Sequence, residues 1–118
     1  MWAAKYIGKD YLHVGMCWGL VQLCCIERHG VAMPEVQSGE RHLRDAAKRC
    51  GWLRSLTLYP DCIAVMSGTE GRHVAYSLQA DGVLQVLHAT RAAGVEALPW
   101  GELARKGYHS FEFWRHAA

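Results

Sequence analysis

The pair Asp81-Gly82 constrains this chain more than any other feature, because it stands between two β-rich runs, His73-Val74-Ala75-Tyr76-Ser77-Leu78 and Val83-Leu84-Gln85-Val86-Leu87-His88. Asp-Gly is a strong signal for a two-residue hairpin turn, in which both central residues need positive φ. A turn there sets Ala75 opposite His88 and His73 opposite Thr90. Residues two apart on a strand share a face, so His73 and His88 become diagonal neighbours on one side of the hairpin, about 7 Å apart at the backbone. One imidazole can then serve as a base while the other orients it. A three-residue loop would shift the register by one and separate the two side chains.

A nucleophile for that base is offered upstream, at Cys17 in Gly15-Met16-Cys17-Trp18-Gly19-Leu20-Val21. From Cys17 to His29 the apolar residues Leu20, Val21, Cys24 and Cys25 recur near helical spacing, and Gly30 is a good terminator. Cys17 therefore falls in a first helical turn, where unpaired N–H groups and the helix dipole favour the thiolate. The alternative for a lone cysteine is a buried packing role, since free Cys is among the most buried residue types. Cys24, Cys25, Cys50 and Cys62 are read in that second way.

Beyond the first helix, Val31 to Glu35 reads as a connector, and Ser38 as the N-cap of a charged helix that runs through Arg49 and stops near Gly51. The pattern then changes to short strands: Leu53 to Tyr59, Cys62 to Met66, Arg72 to Leu78, Val83 to Ala89, Gly94 to Leu98 and His109 to Trp114. Helices first and an antiparallel meander afterwards is an α+β arrangement, and 118 residues suffice for one domain with its own core.

Charge and composition narrow the function. A net charge of +2 with no basic block gives no support for nucleic-acid binding. The N-terminus lacks the apolar core of a secretory signal, and the uncharged run from Tyr11 to Ile26 is too short and too interrupted to insert in a membrane. An odd count of five cysteines in a chain without an export signal argues for reduced thiols made in the cytosol. Cys25 and His29, or His13 and Cys17, have helical spacing for two metal ligands, but two ligands do not make a zinc site, so no metal is expected. His42, His109 and His116 are read as solvated or at the sheet margin. The aromatic residues, five of them tryptophan, mostly mean core, with part of them available for a contact patch.

Cys17-Trp18-Gly19-Leu20-Val21, His73-Val74-Ala75-Tyr76 and Leu87-His88-Ala89, in that order, resemble the NlpC family of papain-like cell-wall cysteine peptidases, over roughly Tyr6 to the end. Trp after the cysteine, where many members have Ser, is similar to the form carried by bacteriophage tail-tip proteins. The resemblance implies a papain-like fold, N-terminal helices packed on an antiparallel sheet, with Cys17 as nucleophile, His73 as general base and His88 as the third polar residue. It implies Tyr11 and Trp18 as substrate-binding residues and Pro99-Trp100 as a structural turn. It further implies no cofactor, the stem peptide of peptidoglycan as substrate, tail-tip or hub proteins as partners, and a place at the virion tail tip after synthesis in the host cytoplasm. One position departs: the family usually carries Asp before the cysteine, and here stands Met16, so a polar support beside the nucleophile is lost. Two readings follow, a tail-tip endopeptidase and a structural tail-tip or tail-assembly protein that keeps the fold with little or no hydrolysis. An acyltransferase or amidase on another substrate is a third.

Overall fold

The structure, a computed structural model, describes residues 1–35, 40–69 and 71–117, and in the second segment side chains from Arg44 on. A 3-10 turn over Trp2–Lys5 precedes α1 (Met16–His29) and α2 (Glu40–Arg49). Strands β1 (Trp52–Ser55), β2 (Cys62–Gly68), β3 (Gly71–Ala80), β4 (Val83–Thr90) and β5 (Gly94–Pro99) follow, then a single-turn α3 (Glu102–Arg105) and β6 (His109–His116). The N-terminal turn and α3 carry too few residues to leave a periodic signal in the sequence. The expected N-cap Ser38 and the side chain of His42 lie outside the described residues.

All six strands form one antiparallel sheet in the order β1-β6-β2-β3-β4-β5. Only β2 to β5 are a meander; β6 returns and inserts between β1 and β2, which corrects the simple meander read from the sequence. The reason lies in β2, whose residues Cys62 to Met66 are all buried. A strand covered on both faces needs a hydrogen-bonding neighbour on each edge, and β6 supplies the second, with Trp114 paired to Ile63. Strand β1 is also shorter than expected. Ser55 Oγ donates to the carbonyl of Thr57 at 2.7 Å, closing a turn, and Leu56 is left in solvent.

Alternation along the strands sends one set of side chains to α1 and the other to α3. Val74, Tyr76, Leu87, Ala89 and Trp114 pack with Leu20, Val21, Cys24 and Cys25 of α1. On the other face Ala64, Met66, Ala75 and Val86 pack with Leu103 of α3, flanked by Trp100, Phe111 and Phe113. Cys24, Cys25 and Cys62 are buried as expected, whereas Cys50 is only half-buried. His109 is exposed. His116 is not simply solvated: it lies against His29 and Trp52 and reaches the Cys50 carbonyl at 3.1 Å. None of the tryptophans is an exposed residue, and Trp52 and Trp114 are fully inside, so they act as core. Among the described residues, no helix is long and apolar enough to cross a membrane.

The β3–β4 turn decides where the histidines stand. Asp81 and Gly82 have φ of 53° and 74°, the left-handed pair that a tight hairpin requires. The register that follows pairs Ala80 with Val83, Ser77 with Val86 and Tyr76 with Leu87, as the Asp-Gly turn predicts.

Candidate active site

His73 Nε2 lies 2.9 Å from His88 Nδ1, with the rings nearly perpendicular at 81°. The diagonal arrangement deduced from the hairpin is therefore a direct hydrogen bond between the two imidazoles. Both rings are buried. On the far side of His88, Nε2 lies 2.9 Å from Glu96 Oε1, and Glu96 stands directly across from His88 in the β4–β5 ladder. Lys106 Nζ is 3.6 Å from the same carboxylate oxygen. His73, His88 and Glu96 thus form a polar row across three adjacent strands.

Tyr108 holds the other end of the row. Its ring stacks on His73 with centroids 4.8 Å apart and planes 19° from parallel. This contact depends on Gly68, where a Cβ would sit 2.8 Å from the Tyr108 ring. No other residue leaves the tyrosine in place without a shift.

Cys17 enters the site from α1. The helix starts at Met16, and the preceding segment is folded tightly onto it: Gly15 N–H donates to the Leu12 carbonyl and Met16 N–H to the Tyr11 carbonyl. The Val14 carbonyl is packed so closely on Gly19 that any side chain there would collide with it. Met16 has φ of 67°, a conformation uncommon for a residue with a Cβ, immediately before the cysteine. Cys17 is partly exposed, and the backbone N–H groups of Val74, Trp18 and Cys17 itself face its sulfur.

Cys17, His73 and His88 line one open cleft of about 500 Å3, together with Tyr11, Arg72 and Tyr108. Arg91, at the same rim, lies over the Tyr11 ring at 5.1 Å. Tyr11, which the resemblance implies as a substrate-binding residue, lines the same cleft as Cys17. Trp18 is not. Its indole N–H donates to the Pro34 carbonyl at 3.0 Å, so it ties the connector to α1 and does not line this cleft. The i and i+1 positions of a helix point about 100° apart, and Cys17 takes the cleft side.

Electrostatics correct one expectation. Burial pushes the Cys17 thiol up from its ordinary value, and the surrounding N–H groups only partly oppose this. Burial likewise pulls His73 down to about 4, with the neighbouring His88 acting in the same direction. His88 is lowered too, again by burial first, while Glu96 opposes. Burial thus favours a neutral Cys17 thiol and neutral imidazoles in the cleft, rather than the preformed thiolate that the helix terminus alone suggested.

Glu96, Tyr108 and Lys106 carried no signal in the histidine and cysteine motifs. Glu96 was within reach of the same reasoning that found His88, because Gly94 ends a short loop after β4 with φ of 69°, and the register from that turn sets Glu96 against His88. The remaining metal-spaced pair separates: His29 Nε2 bonds the Tyr76 hydroxyl at 2.9 Å, whereas Cys25 is in the core.

No family model matches the chain, and no curated protein matches it.

Proposed function

We propose that this domain is a papain-like cysteine peptidase of the NlpC type that cleaves the stem peptide of peptidoglycan, as part of a phage or prophage tail tip. The observation that carries the reading is the shared cleft of Cys17 with the bonded pair His73 and His88. Cys17 attacks the scissile carbonyl as His73 takes the thiol proton, and His73 returns that proton to the leaving amine. Water then attacks the thioester, with His73 again the base. His88 orients His73, and N–H groups at the start of α1 face the developing oxyanion. Arg72, Arg91 and Lys106 on the cleft lining suit a substrate bearing carboxylates, as stem peptides do. In this reading the protein is made in the host cytoplasm and assembled onto tail-tip or hub proteins.

A second reading has support of its own: a structural tail-tip protein with weak hydrolysis. It is favoured by Met16 in place of an acid and by the raised Cys17 thiol. Incubating the purified protein with peptidoglycan and analysing released fragments by mass spectrometry decides between them. Cleaved stem peptides, absent with Cys17→Ala, support the peptidase; intact glycopeptides from both proteins support the structural role.

A further inference from the structure

We infer that Glu96 is a positioning residue that sets the direction of the entire hydrogen-bond chain through His88 to His73, and so decides which nitrogen of His73 carries the lone pair. The inference rests on the reading above only for the use to which that lone pair is put.

One member of the row has a fixed role. A carboxylate oxygen accepts hydrogen bonds and does not donate them. With Glu96 Oε1 at 2.9 Å, His88 Nε2 must be the nitrogen that bears hydrogen. In a neutral imidazole the other nitrogen is then an acceptor, so His88 Nδ1 receives a hydrogen bond. Its partner at 2.9 Å is His73 Nε2, which must donate. His73 Nδ1 is left with the lone pair, the feature a general base requires. Burial of both rings, which keeps them neutral, supports the chain of tautomers. The His73 ring plane itself is held independently by Tyr108. Orientation and protonation are therefore assigned by different neighbours.

A glutamine at the same place separates the two roles. Its amide can donate to His88 Nε2, after which His88 Nδ1–H donates to His73 Nε2 and the proton of His73 moves to Nδ1. The amide oxygen can also accept as the carboxylate does, so Glu96→Gln keeps the shape of the row but no longer fixes its direction. Glu96→Asp keeps an obligate acceptor.

The test is long-range nitrogen–proton NMR of the histidine rings in the full chain at neutral pH, which separates pyrrole-type from pyridine-type nitrogens. The expected wild-type result is Nε2–H for both His73 and His88, retained in Glu96→Asp and replaced in Glu96→Gln by a mixture that includes Nδ1–H. In an active enzyme, Glu96→Gln is expected to slow cleavage on the order of 100-fold or more, with the fold unchanged by circular dichroism. Nδ1–H on either ring in the wild type overturns the inference without any variant, as does a folded Glu96→Asp that carries Nδ1–H on either ring. Correct tautomers in a protein that cleaves no peptidoglycan leave the inference standing and remove the peptidase; cleavage with the wrong tautomers does the reverse.

Discussion

The imidazoles of His73 and His88 are joined at 2.9 Å, Nε2 to Nδ1, across two strands whose register is fixed by a turn at Asp81 and Gly82. A local feature of the chain thereby places two titratable groups, fifteen residues apart, at the wall of the cleft that also holds Cys17.

Alkylation reports on the thiol. Cys24, Cys25 and Cys62 are buried, and burial raises all three thiols, Cys25 to about 12. Iodoacetamide is expected to modify Cys17 ahead of these three, with half-buried Cys50 the one competitor. Because the Cys17 thiol is raised from 9.0, its labelling rate should climb with pH and keep climbing past about pH 9. Peptide mapping after timed labelling measures this. A plateau below pH 7 would instead reveal a preformed thiolate–imidazolium pair.

Acid should weaken the fold through its buried histidines. His73 is lowered from 6.5 to about 4 in the folded chain, so between those values the unfolded state binds the extra proton. Stability contributed by the neutral ring is present above about pH 6.5 and is lost as pH falls towards 4. For His73 alone the loss reaches roughly 3 kcal/mol. His88 and His29 are lowered as well and act with the same sign. Urea unfolding between pH 7 and 4.5 tests it: the wild-type midpoint should fall, and His73→Gln should flatten the slope.

Gly68→Ala tests the support of His73. The added methyl would meet the Tyr108 ring, so a loss of about 1 to 3 kcal/mol is expected, with displacement of the tyrosine from His73. If Gly68→Ala is neutral by urea titration, Tyr108 has room that the structure does not show.

Met16 is both half-exposed and left-handed in φ. Asn tolerates that conformation better, and little packing is lost on removing an exposed Met, so Met16→Asn should raise stability by about 0.5 to 1 kcal/mol. A lower thermal midpoint for this variant would mean that the Met16 side chain contributes packing of its own.

The hairpin, the paired histidines, α1 and the buried cysteines could be read from the sequence because each rests on local information: a turn dipeptide, a two-residue alternation, a helical spacing. What escaped was non-local. The insertion of β6 depends on β2 needing partners on both edges, and no single segment encodes that. Trp18 went to Pro34 because side-chain direction on a helix was not resolved by the motif that drew attention to it. For Cys17 the same limit holds: the dipole of α1 is written in its first turn, but the burial that outweighs it and raises the thiol comes from the packed fold.

The most direct test of the nucleophile and base is a double-mutant comparison of peptidoglycan cleavage by the wild type, Cys17→Ala, His73→Ala and the double variant, with folding checked by circular dichroism. Groups that act as one unit are grossly non-additive. Each single variant should cut release of stem-peptide fragments to the same low residual level, with the double variant no worse than either. Cleavage by His73→Ala at the wild-type rate, or single losses that multiply in the double variant, would contradict this assignment of nucleophile and base.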